Sequence, residues 1–246
     1  MSRFTQIGNA LYKKAFPLYR PLYSAFKSYT DRAERGLLTR QLSPGCVVVD
    51  AGANIGIYSQ FLSRCVGTSG EVHSFEPSPE NFARLQTAVA YLPNVRPNQI
   101  AVSDKTGEAV LYVSDDLNVD HRVYETVSEA RTTLSIRSTT LDDYFKPGQK
   151  VDLIKIDIQG YELHALRGAK RVLLENPAIA LLLEYWPYGL HHAGGSGEEL
   201  LDFLKDNGFT AETLDEPGRR QKISTDSSDP TNYFNLFACR GYESSR

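Results

Sequence analysis

A chain of 246 residues, 41% apolar and 23% charged, has room for one α/β domain with a full core and some decoration, and the composition is that of a globular protein. A net charge of −3 removes the general electrostatic reason to expect a nucleic acid as partner. No apolar run approaches the roughly 20 residues of a membrane-crossing helix, no secretory cleavage pattern is visible, and three cysteines without metal-type spacing point to a reduced, cytoplasmic protein.

Residues 1–42 read as a helical extension, set apart from a domain over 43–246. Phe4, Ile7, Leu11, Tyr12, Phe16, Tyr19, Leu22, Tyr23 and Phe26 recur at roughly helical spacing, interleaved with Arg3, Lys13, Lys14, Arg20 and Lys27. Pro17 and Pro21 should break or kink a helix there. Two readings stand: a short helical region packed over the main domain, or a basic amphipathic element resting on a membrane surface or a partner.

From Ser43 the pattern becomes regular. Cys46 to Asp50, after Pro44-Gly45, reads as a buried parallel strand. A helix follows over about 54–66, then a strand at 71–75 and a helix at about 79–91, with Ser78 as N-cap and Pro79 in the first turn. One strand is expected over 95–102, and a turn at Asp104–Gly107 leads into another at 109–113. Residues 114–138 show no period, and an irregular stretch of that length in a compact domain is more often functional than idle. Thr140-Leu-Asp-Asp143 reads as a helix start. Strands at 151–156 and 178–185 are each followed by a helix, at about 161–174 and 198–207, the second closed by Gly208. The last two strands fall at 209–214 and 232–240. Alternating strands and helices predict a doubly wound, mostly parallel sheet.

Asp50-Ala-Gly52-Ala-Asn54-Ile-Gly56 sits at the tip of the first strand, where such sheets bind ligands. Gly52 lets the chain turn sharply and a ligand approach, and Gly56 lets the next helix pack close to the sheet. The pattern is D-x-G-x-x-x-G, not the dinucleotide G-x-G-x-x-G. An acid at Asp50 is unfavourable beside a pyrophosphate and suits a ligand with an ammonium and a sulfonium, namely S-adenosylmethionine. A nicotinamide oxidoreductase is disfavoured on the same ground. Glu76 ends the second strand, where an acid accepts hydrogen bonds from ribose hydroxyls.

The segments Val49-Asp-Ala-Gly-Ala-Asn-Ile-Gly56, Ser74-Phe-Glu-Pro-Ser-Pro79, Ala101-Val-Ser-Asp104 with Gly107, Thr140-Leu-Asp-Asp143, and Ile154-Lys-Ile-Asp-Ile-Gln-Gly160 with Glu162 resemble the FkbM family of methyltransferases, in order and approximate separation. The resemblance implies a class I methyltransferase (Rossmann-like) fold, seven strands with the last antiparallel. It also implies methyl transfer from S-adenosylmethionine to a hydroxyl, commonly of a sugar or a polyketide-type natural product. Asp50, Gly52, Asn54, Gly56, Glu76 and Ala101 are the expected cofactor contacts. Where the family often has Glu, this chain has Gln159, which keeps hydrogen bonding and removes a charge.

An alcohol needs its proton removed before it attacks a methyl group, by a general base, a metal, or both. Asp157, at the carboxyl end of its strand, is the first candidate to contact the acceptor or a metal, with capping of the following helix as its other role. His121 is the second candidate, either a general base or part of a solvated turn. Asp120 and Arg122 beside it suit a sugar's hydroxyls, and the context Asn118 to Arg122 also resembles the family. Glu162 is a surface acid compensating the helix dipole or a substrate-binding pocket residue. Glu184 reaches the same rim as a substrate contact; with Asp157 and His121 it forms a candidate site for a divalent cation such as Mg²⁺. His191-His192 read as an exposed Gly-rich loop, and His73 and His164 as structural. The competing reading is a methyltransferase-like module without catalysis, serving a partner or membrane surface through its N-terminal segment.

Overall fold

A computed structural model describes residues 3–113, 122–124, 132–214 and 223–241. Three helices come first, α1 (Arg3–Lys14), α2 (Phe16–Thr30) and α3 (Arg32–Gln41). The central run is β1 (Val47–Ala51), α4 (Ile57–Val66), β2 (Glu71–Phe75), α5 (Pro79–Val89), β3 (Val95–Asn98), β4 (Ala101–Val102), β5 (Gly107–Val113) and β6 (Thr132–Thr139). Then follow α6 (Leu141–Tyr144), β7 (Leu153–Ile156), α7 (Glu162–Arg167), α8 (Lys170–Glu175), β8 (Ala180–Tyr185), α9 (Pro187–His192), α10 (Gly197–Asp206), β9 (Thr210–Thr213) and β10 (Phe234–Cys239).

Seven strands form one sheet in the order β3-β2-β1-β7-β8-β10-β9. The pairs β3–β2, β2–β1, β1–β7 and β7–β8 are parallel, while β10 runs antiparallel to both β8 and β9. The fold expected from the sequence is therefore the one observed. Strands β1, β7 and β8 are covered on both faces, which explains their near-continuous Val, Ile and Leu. Apolar residues of α7, α8 and α10 pack one face, and those of α4, α5 and α3 pack the other.

Several local expectations change. The stretch 114–138 is not irregular throughout, because Thr132–Thr139 pairs antiparallel with β5 and parallel with β4 in a small second sheet. Most of β6 is exposed, and its apolar alternation is limited to Leu134 and Ile136, too short to betray a strand. The strand expected over 95–102 divides between the two sheets. The helix expected over 161–174 divides at Gly168, which lies so close to the carbonyl of Ser103 that a side chain there has no room. The fourth helix starts at Ile57, three residues later than expected, because the loop extends to Gly56. Ser78 precedes α5 but its side chain makes no capping bond; its backbone N–H goes to Glu76 instead. His191 and His192 are exposed as expected, on the short helix α9 rather than in a loop.

Pro17 stands in the first turn of α2, where no N–H is required, and Pro21 is carried inside the helix at the cost of one backbone hydrogen bond. Helices α1 and α2 pack Tyr12 and Tyr19 on Ile55 and Ile57. The Tyr12 hydroxyl donates to Asn81, and the Arg84 guanidinium lies 3.5 Å from the centre of the Tyr12 ring. Leu38 of α3 is fully buried in the core, and Asn235 of β10 donates to Glu34 at 2.8 Å.

Two glycines test how tightly the loops are nested. Gly148 (φ +74°) faces open space, whereas a Cβ on Gly160 (φ +95°) would collide with the backbone of Gly189. Gly148→Ala should cost about 1 kcal/mol from its left-handed backbone alone, and Gly160→Ala at least about 3 kcal/mol, read by denaturant unfolding.

Candidate functional site

A cavity of about 440 Å³ opens at the carboxyl ends of β1, β2, β7 and β8, the position a doubly wound sheet reserves for ligands. The loop after β1, the tip of β2, the loop after β7, Glu184 of β8 and Tyr23 and Lys27 of α2 all contribute to its wall.

At one end stands the glycine loop. Gly52 has φ +81°, and a Cβ there would run into the carbonyl oxygen of Asp157, so glycine is required for two strand-end loops to touch. Asn54 is itself left-handed (φ 49°), an uncommon conformation for a residue with a side chain. Its N–H donates to one carboxylate oxygen of Glu76 at 2.9 Å, and the N–H of Ser78 donates to the other at 2.9 Å. Each Glu76 oxygen retains a lone pair. Burial of this carboxyl raises it from the ordinary carboxylate range to about 7, against the two backbone donors. Ala101 lines the same end, beside Val102, Leu111 and Pro77. Gly56 does not line the cavity; at φ +85° it approaches Leu85 and Ala88, so its packing is against helix α5 and not, as expected, against the sheet.

Asp50, expected against the cofactor, does not line the cavity. It is fully buried one layer below, where Ser59 donates to it at 2.7 Å and the Lys155 ammonium lies 3.6 Å away. Ser74 donates to Ser59 and completes the chain. A cation this close offsets the charge that was to repel a pyrophosphate, so that electrostatic argument does not hold. A different observation takes its place: the N–H groups of Gly52 and Ala53 are spent on the Phe75 carbonyl, that of Asn54 on Glu76 and that of Gly56 on Ala53. A phosphate cradle needs those donors free.

Lys155 is the hub of the site. In the β1–β7 register it stands directly beside Asp50, and its ammonium is also 3.6 Å from Asp157 and 4.7 Å from the centre of the Tyr58 ring. Burial pulls its proton affinity down, yet Asp157, Asp50 and Glu184 outweigh it and leave it above the ordinary lysine value. It stays charged.

The other end of the cavity is acidic. Asp157 is the more open carboxylate, and Glu184 lies deeper. Gln159, left-handed at φ 58°, donates its side-chain amide to Glu184 at 3.0 Å and approaches Asp157 at 3.4 Å, while its carbonyl accepts from the Tyr124 hydroxyl. Burial, then the charges of Asp157 and Glu162, push Glu184 well above the usual carboxylate range. Arg122 lines the wall with its guanidinium 5.1 Å from the centre of the Trp186 ring. Glu162 is neither on the surface nor in the cavity: fully buried, it accepts the N–H groups of Ile158 and Gly160 and braces the loop that carries Gln159. Asp120 and His121 lie outside the described residues.

The described part of the donor set, which leaves out His121, does not fit a divalent cation. Among the described residues no three His, Cys, Asp or Glu side chains gather as metal ligands. Asp157 and Glu184, the two described candidates, already face one amide donor and one ammonium, where a second cation would be repelled. The cavity does fit an adenosyl amino acid. Glu76 offers two acceptors, an apolar wall stands beside it, and the side-chain oxygen of Asn54 is buried without a protein partner. Sequence reasoning missed Tyr23, Lys27, Tyr58 and Trp186; only the spacing of Tyr19, Tyr23 and Lys27 on one helix face hinted at the first two.

The methyltransferase FkbM domain matches residues 50–211 of this chain. Among curated relatives, the hexuronic acid methyltransferase AglP of Haloferax volcanii is 28% identical over 141 residues, a stretch covering 56% of this chain and 55% of that protein. The 31-O-demethyl-FK506 methyltransferase FkbM of Streptomyces tacrolimicus is 26% identical over 210 residues, covering 72% of this chain and 77% of that one. The match thus spans little more than half the length of the first relative and about three quarters of the second. The crystal structure of methyltransferase FkbM from Methylobacillus flagellatus superposes with a TM-score of 0.51 at 19% identity, over 80% of this chain and 44% of that one, a likeness of fold. With a glycine loop, a strand-end glutamate and a lysine-centred acid cluster at the switch point of such a sheet, the chain belongs to the FkbM methyltransferase domain family.

Proposed function

We propose that this protein transfers a methyl group from S-adenosylmethionine to a hydroxyl oxygen of a sugar or a polyketide-type natural product. One observation carries the reading: a single cavity joins a ribose-binding carboxylate, Glu76, to a pair of acids, Asp157 and Glu184, that can take a proton. Relatives named for a hexuronic acid and for demethyl-FK506 support an oxygen acceptor.

S-adenosylmethionine supplies, when bound, a methyl group activated by its sulfonium. Glu76 accepts from the ribose hydroxyls, and Asn54 offers its unpartnered side-chain oxygen to the amino group. Asp157 receives the acceptor's hydroxyl proton. Lys155, 3.6 Å away, holds that carboxylate in place. Glu184, joined to Asp157 through Gln159, is a second station for the proton, its burial having raised it well above the usual carboxylate range. His121 is a further candidate base, and Asp120 and Arg122 candidate contacts for a sugar acceptor. Trp186 under Arg122 gives such an acceptor an aromatic floor.

Titration calorimetry with S-adenosylmethionine and with NADH separates this reading from an oxidoreductase; heat from NADH alone overturns it. A ribose diol binds the Glu76 carboxylate better than the neutral acid, and Glu76 ionises as pH rises through about 7. Affinity for methylthioadenosine, which lacks the charged amino-acid arm, should therefore climb from pH 6 to pH 8. In Glu76→Gln it should be weak and flat over the same range. Asp157→Asn should lower turnover by roughly 100-fold, as expected when a general base is lost, with cofactor affinity within a few fold of wild type. Wild-type turnover in that variant would remove Asp157 from the mechanism and leave His121 and Glu184.

A further inference from the structure

Helix α2 is built inside out. Its inner face carries the two charged residues between Lys14 and Asp31: Arg20 donates to Gln60, and Lys27 lines the cavity and pairs with Asp31 at 2.8 Å. Its outer face is apolar. Leu18, Leu22, Phe26 and Tyr29 fall on one stripe at helical spacing and are 63%, 63%, 60% and 71% exposed. A surface helix of a freely dissolved domain turns its charges outward, and four large apolar groups in one stripe mark a contact surface rather than scattered exposure.

Charge says what the contact is. Residues 1–42 contain eight Lys and Arg against two acids, so this segment is +6 while the rest of the chain is −9. Both acids, Asp31 and Glu34, are buried. Within residues 10–41 the exposed charges are Lys13, Lys14, Arg32 and Arg40, all positive. Lys13 and Lys14 stand before the stripe, and Arg32 stands after it with its guanidinium 5.2 Å from the centre of the Tyr29 ring. An apolar stripe ending in cations at both ends, with no exposed anion among those residues, matches a surface of fatty chains under anionic headgroups. Among the described residues no helix is long and apolar enough to cross a membrane, so the helix would lie in the interface.

We propose that the outer face of α2 docks this protein on an anionic membrane surface. Tyr23 and Lys27, on the opposite face of the same helix, line the cavity, so docking sets the cavity about one helix diameter, roughly 10 Å, from the lipid plane.

Flotation of the full chain with vesicles tests this. Vesicles of phosphatidylcholine mixed with phosphatidylglycerol should carry the protein up the gradient at low salt, and phosphatidylcholine alone should carry at least about tenfold less. Leu22→Glu with Phe26→Glu should reduce binding to the mixed vesicles by at least about tenfold. Lys13→Gln with Lys14→Gln should reduce it by about tenfold and leave the weak binding to phosphatidylcholine unchanged. Circular dichroism and the thermal midpoint of each variant should match wild type; an unfolded Glu variant is replaced by Leu22→Ser with Phe26→Ser, for which the same reduction is expected. No binding to mixed vesicles, equal binding to both kinds, binding indifferent to all these substitutions, or sedimentation showing that the stripe pairs two copies of the chain and ignores lipid would each overturn the proposal.

Discussion

The site depends on one buried cation. Lys155 lies in the middle of a parallel sheet with a carboxylate on either side, Asp50 beneath and Asp157 above, and an aromatic ring against its ammonium. Any one of these charges alone in that interior would be costly; together they offset one another and fix geometry. Asp50 is held by Ser59 and Ser74, so the lysine is anchored from below, and Asp157 is thereby presented to the cavity at a defined height. The arrangement divides labour between two layers. The lower layer is closed and structural, and the upper layer is open and available for chemistry.

The two ends of the cavity are coupled through backbone as well as charge. Gly52 of the glycine loop touches the carbonyl of Asp157, and the buried Glu162 ties down the N–H groups of Ile158 and Gly160 just beyond. The loop expected to hold a ligand and the loop expected to move a proton are therefore one packed unit. Residues with strained dihedrals, Asn54 and Gln159, occur one on each loop and both line the cavity, which is where held strain is commonly found.

Much of this was legible in the sequence, for physical reasons. Strands buried on both faces announce themselves as apolar runs, so Val47 to Ala51 and Leu153 to Ile156 were readable, and the loop motifs at their ends marked the rim where the cavity opens. The small sheet was not, because Thr132–Thr139 is largely exposed and its buried face shows only one large apolar residue, Ile136. Asp50 was read as a ligand contact since a motif gives position along a strand but not which side chain lies above another. The pairing of Asp50 with Lys155 spans more than a hundred residues and exists only once β1 and β7 are in register. Glu162 was named but misplaced for the same reason: a carboxylate that accepts the N–H groups of its own loop looks, in sequence, like any acid in a helix's first turn.

Strand β10 adds a consequence for biogenesis. It is inserted antiparallel between β8 and β9, and the indole of Trp186 is fastened to the carbonyl of Pro230 just ahead of it. A ribosome releases residues 180–185 long before residues 234–239, so the hydrogen-bonding edge of β8, apolar over residues 180–183, waits uncovered while some fifty residues are still being made. Such an edge is an invitation to intermolecular pairing. Yield in a cell-free synthesis should accordingly depend more on holdase chaperones than on the thermodynamic stability of the finished domain.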